Sequence, residues 1–335
     1  MDADRPPAER LVAWAISDGA PGNERQAMAL AEAMGIAAEP MRVAPHAPWR
    51  WFAPRLTAFA ERSLPLAQRR AFTPPWPALA IGCGRVAALY TRALRGLSGG
   101  STFTVQILDP RVDAALFDVV VAPRHDGVAA PNVIGTLGAL NAVDDAWLAR
   151  AAAEFSTLLQ LPAPRTALLV GGPRRGLALD AAWLDRLVEH VEALLARDGG
   201  SLMIALSRRT PAEWRARLRG AFRSGCTYFW GGAADGPNPY AGYLAHAARI
   251  VVTPDSVNML SEACATDIPV YTLVPEQAHG KLAAYHAALR AQSRLRRLDE
   301  PEPATASAVP LRETAQVAVA VWERYRARRS ALQPA

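Results

Sequence analysis

A short apolar run that closes in a glycine- or proline-bearing turn and passes into an Ala/Leu-rich stretch recurs along this chain. Nothing else in the sequence restricts its folding as much. Residues 11–16 form the first run, followed by a loop over 17–26 and a helical stretch over about 26–34. Residues 78–81 lead into Gly82-Cys83-Gly84 and a helix through Arg95. The runs 103–108 and 117–122 end at Asp109-Pro110 and at Pro123-Arg124-His125-Asp126. Strands alternating with helices imply βαβ units and a mostly parallel sheet, because parallel neighbours need a long crossover.

The pattern then restarts. A helical stretch over about 144–159 and a proline-punctuated connector over 161–165 precede the run 166–170, which enters Gly171-Gly172-Pro173-Arg174-Arg175-Gly176. The run 202–206 enters Ser207-Arg208-Arg209-Thr210-Pro211, and further runs lie at 249–252 and 269–274. Two such series predict an α/β chain of two Rossmann-like, doubly wound domains facing a central cleft. One spans 1–160 and the other 161–305, with a helix over 311–330 crossing back onto the first. A length of 335 residues suits two cores. Ligands of open α/β sheets sit outside the carboxyl ends of the strands, which places all of these loops around the cleft.

The composition, 51% hydrophobic and 20% charged, excludes global disorder. A net charge of +6 favours anionic ligands or an anionic membrane surface. Nucleic acid is not expected, since zinc-finger and RNA-recognition signatures and basic runs interleaved with aromatics are all missing. Cys83, Cys226 and Cys264 have neither paired nor metal-like spacing, which suits a reducing compartment and predicts no metal. Residues 1–10 do not resemble a secretory signal, and no apolar run approaches the roughly 18 residues needed to span a bilayer. The expected location is cytoplasmic, at most peripheral to a membrane. Residues 49–70 mix Trp49, Trp51, Phe52, Leu56 and Phe59 with Arg50, Arg55, Arg62, Arg69 and Arg70. That is the composition of an interfacial helix, or of a helix packed on its own sheet.

Several loops have the residue types that binding and proton transfer need. In Ser17-Asp18-Gly19-Ala20-Pro21-Gly22-Asn23 the glycines permit a tight turn, and the helix start that follows favours an anion. Asp18 there is a candidate base or hydroxyl acceptor, or a local cap. Gly82-Cys83-Gly84-Arg85-Val86-Ala87 fits a dinucleotide pattern but not on the first strand, and no acidic residue follows about 20 positions later. Close strand–helix packing explains it better than a nicotinamide cofactor. His125 can serve as a base oriented by Asp126 or Asp109, or can belong to a solvated loop. The glycines and arginines of 171–176, repeated in kind by Ser207, Arg208 and Arg209, suit a diphosphate but lack the end of a Walker loop.

In the stretch 251–263 a helix begins near Ser256, and Asn258, Ser261 and Glu262 share one face of it. A carboxylate on such a core helix needs a partner. A ribose diol or an internal arginine would each satisfy Glu262. Gln277, after the next strand, can reach a sugar ring or phosphate.

Taken in order, these motifs resemble the bacterial relatives of the plant mitochondrial-fission factor named for elongated mitochondria. The resemblance rests on Ser17-Asp18-Gly19-x-Pro21-Gly22-Asn23-x-x-Gln26, Leu108-Asp109-Pro110, Pro123-Arg124-His125-Asp126, Gly171-Gly172-Pro173 and Thr253-Pro254-Asp255-Ser256-x-Asn258-Met259-x-Ser261-Glu262. It implies the two-domain glycosyltransferase architecture called GT-B. Bacterial members are sometimes labelled nucleoside-diphosphate-sugar epimerases, and the plant member is described as recruiting a dynamin-related protein to mitochondria. The segment ending in Glu262 is also similar to the donor-binding helix of the lipid-linked N-acetylglucosaminyltransferase of peptidoglycan synthesis. That similarity implies that Glu262 holds the ribose while the helix start faces the diphosphate. Retaining enzymes of this architecture often carry two glutamates eight residues apart; the earlier position here is Pro254, which favours an inverting mechanism.

The expectation is an inverting nucleotide-sugar glycosyltransferase that needs no cofactor. The alternatives are an epimerase on the same fold and a non-catalytic nucleotide-sugar sensor or recruiting protein. Asp18, His125 and Asp126 are the catalytic candidates. Gly171, Gly172, Arg174, Arg175, Ser207, Arg208, Arg209, Asp255, Ser256, Asn258, Ser261, Glu262 and Gln277 are expected to bind the nucleotide sugar. Gly19, Gly22, Asn23, Asp109 and Arg124 are expected on the side of an acceptor of unknown class.

Overall fold

The computed structural model describes residues 11–174, 177, 179–275, 279–300 and 309–332. Arg175, Gly176 and Gln277 lie outside the described residues. The chain divides into two compact units, one formed by 1–142 with 313–335 and the other by 143–312.

The first unit runs β1 (Ala13–Ser17), α1 (Pro21–Ala33), β2 (Ala38–Arg42), α2 (Trp49–Phe52), α3 (Leu66–Arg69), β3 (Leu79–Cys83) and α4 (Arg85–Leu97). It continues through β4 (Phe103–Ile107), β5 (Val119–Pro123) and β6 (Val133–Thr136). The strands form one sheet in the order β2-β1-β3-β4-β5-β6, with every pair parallel. Successive strand residues point to opposite faces. Ala13 and Ala15 accordingly join the cluster of Leu30 and Ala31 from α1, while Trp14 and Ile16 join that of Tyr90 and Leu94 from α4. Both faces are covered, so β1, β3, β4 and β5 are buried along their whole length and read as apolar runs rather than alternations.

The second unit runs α5 (Asp145–Glu154), β7 (Arg165–Val170), α6 (Ala181–Asp198), β8 (Ser201–Leu206), α7 (Ala212–Arg219) and β9 (Cys226–Trp230). Then come α8 (Tyr240–His246), β10 (Arg249–Val252), α9 (Val257–Cys264), β11 (Val270–Thr272), α10 (Gly280–Ala291) and β12 (Arg296–Arg297). Its sheet is again parallel throughout, in the order β12-β11-β10-β7-β8-β9. Trp183 of α6 is fully buried, stacks on Trp214 of α7 at 5.7 Å and donates its indole N–H to the Leu273 carbonyl.

The last helix, α11 (Thr314–Leu332), packs on the first unit. Val317, Ala318, Val321 and Tyr325 lie in the cluster of α1 and β1, and the Trp322 indole donates to the Met34 carbonyl. At its start the Glu313 carboxylate accepts from the Leu137 and Gly138 amides, and Arg328 near its end pairs with Asp118.

Three sequence expectations differ in detail from this structure. The helix expected from about 26 begins at Pro21, whose fixed φ and missing N–H suit a first helical position, so Gly22 and Asn23 belong to its first turn. The stretch 144–159 is a shorter helix followed by a tight 3₁₀ segment over Ser156–Gln160. It packs with the second unit, where Gly242 of α8 lets Phe155 approach so closely that a methyl there would stand 2.4 Å from its Cβ. The arginine- and aromatic-rich stretch 49–70 is not one helix but α2, a 3₁₀ turn over Ala60–Ser63, and α3, with proline at 54 and 65.

Leu30→Ala would empty a fully buried site between α1 and the β1 face of the sheet. We expect a loss of about 2–5 kcal/mol, read as a lower urea midpoint with an unchanged slope.

Candidate functional site

Each sheet has one point where the strand order reverses. In the first unit it lies between β1 and β3, and in the second between β7 and β10. Helices leave to opposite faces there, which opens a crevice at the carboxyl ends of the two strands.

At the first reversal point Asp18 follows β1 and Gly84 follows β3. Asp18 is exposed, and its Oδ1 accepts from the Ala20 amide at 3.1 Å and from the Asn23 side chain at 3.0 Å. Asn23 in turn accepts from the Cys83 thiol at 3.8 Å. A methyl on Gly84, whose φ is +88°, would stand 2.6 Å from Asn23 Nδ2. Glycine at 84 therefore serves the close packing of loop against helix. Burial, reinforced by the Asp18 charge, pushes the Cys83 thiol far above its ordinary range, so it is not a nucleophile.

The Arg124–Asp126 turn follows β5, with Arg124 exposed and His125 and Asp126 half-buried. Asp109 follows the neighbouring β4 and accepts from the Arg111 amide at 2.8 Å. Three strand spacings, about 14 Å, separate the ends of β1 and β5. The sheet therefore places Asp109 next to the His125 turn and keeps Asp18 apart from it.

At the second reversal point three strand ends are tied by one carboxylate. Asp255 is completely buried. Its Oδ2 accepts from the Gly172 amide at 3.1 Å and from Arg209 at 2.6 Å, and its Oδ1 accepts from the Thr253 hydroxyl at 2.6 Å. Thr253 Oγ1 also accepts from the Gly171 amide at 2.7 Å, and Arg174 donates to the Asp255 carbonyl at 3.1 Å. A methyl on Gly171 would stand 2.2 Å from Asp255 Oδ2, and one on Gly172 2.3 Å from the Arg209 carbonyl. These glycines are needed because a carboxylate and a neighbouring loop press against them. Their amides are already engaged by Thr253 and Asp255 and are not open to a phosphate. Arg174, Arg208 and Arg209 are exposed.

Thr210 closes the β8 loop, its hydroxyl accepting from the Ser207 amide at 3.0 Å and donating to the Gly171 carbonyl at 2.5 Å. Ser256 caps α9 by accepting from the Met259 amide. Of the three residues expected on one helical face, Asn258 is half-buried and Glu262 is 8% exposed, whereas Ser261 is fully buried. Ser261 bonds the Val257 carbonyl and the Tyr285 hydroxyl, so it belongs to the packing of α9 on α10. Asp255 too is turned inward, contrary to its expected place among the ligand contacts. Glu262 accepts from the Tyr240 hydroxyl at 2.5 Å. Tyr240 and Tyr285 lie outside every motif read from the sequence, whereas Thr210 and Thr253 stand inside quoted loops without an assigned role of their own.

His286 of α10 is also buried against this loop. Burial lowers its pKa to about 4, while the Pro254 carbonyl and the Asp255 charge pull the other way. Among the described residues no group of three His, Cys, Asp or Glu side chains stands close enough to hold a metal ion. No helix of those residues is long and apolar enough to cross a membrane.

Two parallel six-stranded α/β sheets, with loops gathered at a reversal point in each, give the chain a GT-B-like fold. Solved structures agree on the fold. The UDP co-structure of S. aureus MnaA is 12% identical and matches with a TM-score of 0.53, over 94% of this chain and 97% of that one. The spinosyn forosaminyltransferase SpnP is 14% identical, with a TM-score of 0.51 over 95% of both chains. MurG of Acinetobacter baumannii is 14% identical, with a TM-score of 0.50 over 93% of this chain and 99% of that one.

The Mitochondrial fission ELM1 family model matches residues 21–325, and the chain belongs to that family. It is 31% identical to Mitochondrial fission protein ELM1 of Arabidopsis thaliana over 287 residues, covering 78% of this chain and 66% of that protein. It is 24% identical to the uncharacterized protein RP120 of Rickettsia prowazekii over 203 residues, covering 51% of this chain and 57% of that protein. The chain thus matches less than two thirds of the length of either relative.

Two outcomes check this geometry. Asp255→Ala strands the Gly172 amide and the Thr253 hydroxyl and should cost about 2 kcal/mol or more, measured by denaturant unfolding. His286, with its folded pKa below the unfolded value near 6.5, contributes full stability above pH 6.5 and loses it as pH falls toward 4. The loss sums to about 3 kcal/mol. The stability of wild type relative to His286→Leu should therefore fall by that amount across this window.

Proposed function

We propose that the second unit binds a nucleoside-diphosphate sugar and that the chain transfers the sugar to an acceptor with inversion. One observation carries this reading: a rigidly latched glycine loop, three exposed arginines and a capped helix start meet at the reversal point of the second sheet. The partial positive charge at the start of α9 and the guanidinium groups of Arg174, Arg208 and Arg209 would stabilise the leaving diphosphate. Glu262, 8% exposed and held by Tyr240, accepts a ribose hydroxyl. On the first unit Asp18, with Gly19, Gly22 and Asn23, or His125, with Asp109, Arg124 and Asp126, binds the acceptor and removes its proton as charge develops on the sugar. Arg175 and Gln277 remain part of the proposed donor site from sequence alone.

A second reading, a nucleotide-sugar sensor or recruiting protein without transfer, is favoured by the state of Asp18. Its Oδ1 accepts from the Ala20 amide and the Asn23 side chain, so this oxygen is occupied in holding the turn. An epimerase would use the same donor site and return the sugar as its epimer.

Thermal unfolding with uridine, guanosine, thymidine and cytidine diphosphates and their sugars tests the shared premise. Ligand at 100 times its Kd should add about 2.7 kcal/mol, and Glu262→Ala should remove the effect. No stabilisation by any of them sinks the nucleotide-sugar reading. Where one nucleotide stabilises the protein, product analysis of the bound sugar separates the readings. Transfer or hydrolysis reduced about 100-fold or more in Asp18→Asn or His125→Gln marks an enzyme with that base. An unchanged sugar marks a sensor.

A further inference from the structure

Residues 43–76, within the connection from β2 to β3, form a lobe on which several large apolar side chains stand outward. Ala53, Ala60, Leu64 and Phe72 face inward to the cluster of Trp14, Tyr90 and Leu94, and the Ser63 hydroxyl bonds Tyr90 at 2.6 Å. Trp51, Phe52, Phe59 and Leu66 stand outward, 73%, 58%, 59% and 63% exposed. Hydrogen bonds hold this arrangement in place. Arg85 and Arg92 of α4 donate to the Ala53 and Pro54 carbonyls at 2.8 and 2.5 Å, and the Trp49 indole donates to the Ala58 carbonyl at 2.8 Å. Phe59 has a φ of 54°, a left-handed conformation that a residue with a β-carbon rarely adopts, and the Arg62 guanidinium lies 4.4 Å from its ring centre. Surface aromatics scattered singly need no explanation, but four large apolar side chains on one anchored lobe do.

The charge of the lobe indicates what covers it. Between residues 43 and 76 five arginines, Arg50, Arg55, Arg62, Arg69 and Arg70, are set against one acidic residue, Glu61. Arginine forks match phosphate oxygens in pairs, and aromatic rings settle where one end is apolar and the other wet. We propose that this lobe is a docking surface for an anionic phospholipid bilayer. Trp51, Phe52, Phe59 and Leu66 enter the boundary between headgroups and acyl chains, and the exposed Arg50, Arg55 and Arg70 pair with lipid phosphates. Attachment of this kind needs no spanning helix. The proposal stands independently of the nucleotide-sugar reading, because none of its residues belongs to that site.

Co-sedimentation of the full chain with phosphatidylcholine vesicles, with and without phosphatidylglycerol, tests it at low and high salt. Wild type should sediment only with the anionic vesicles and be released as salt rises. Trp51→Ser with Phe52→Ser, and separately Arg50→Glu with Arg55→Glu, should each weaken binding about tenfold or more. These side chains are exposed, so an unchanged circular-dichroism melt is expected to show that both variants fold. No sedimentation with anionic vesicles, equal sedimentation with both compositions, or undiminished binding by the folded variants would overturn the proposal. A dimer of wild type that the aromatic variant dissolves, without vesicle binding, would overturn it in favour of a second copy of this chain.

Discussion

Burial of both faces of a parallel sheet is the constraint from which the rest of this structure follows. Parallel neighbours cannot be joined by tight turns, so each crossover lays a helix on a face, and the faces in turn demand apolar residues at consecutive strand positions. Ala13 through Ser17 and Leu79 through Cys83 are buried at every position for this reason. The same geometry sends all strands of a sheet in one direction, so their carboxyl ends, and the loops that follow them, share one edge. The loops of that edge are what packing leaves available, because the rest of each sheet is consumed by it.

Within the edge, a few polar groups decide how much freedom the loops retain. Asp255 is the strongest example: one buried carboxylate takes up a glycine amide, a hydroxyl and a guanidinium from three loops. An unmet hydrogen bond at such a depth is costly, so the network is strongly favoured whole and its loops are preorganised. The first unit uses a lighter version, in which exposed Asp18 and half-buried Asn23 tie the first turn of α1 to the thiol of Cys83. The two reversal points therefore differ in stiffness although the sheets are built alike. Preorganised positive charge over a rigid floor is what a diphosphate needs, which is why the donor role is proposed for the second unit.

The lobe between β2 and β3 obeys a different balance. Ala53, Ala60, Leu64 and Phe72 fill the space over the sheet, while Trp51, Phe52, Phe59 and Leu66 stand outward. That leaves Trp51 and Phe52 exposed on a four-residue helix with no buried residue of its own. Hydrogen bonds to carbonyls of the lobe from α4, rather than apolar burial of the short helix, hold it in place. Exposure of this kind is a property of the fold and not of the local pattern, which by itself suited either an interfacial or a packed helix.

The sequence alone determined the α/β class, the positions of most strand–turn–helix steps, and the family through motifs running from Ser17 to Glu262. These are readable because burial on both faces writes itself into consecutive residues, and because glycine and proline mark the turns at fixed places. Only the tertiary structure decided which polar side chains look outward. Asp255 and Ser261 turn fully into the protein, Glu262 is buried against Tyr240 and Asn258 stays half-buried, although all four stand in one short stretch. Their partners are far away along the chain: Gly172 lies 83 residues from Asp255, and Tyr240 lies 22 residues from Glu262. Contacts of that span depend on how strands and helices stack in space, and a one-dimensional pattern holds no record of that.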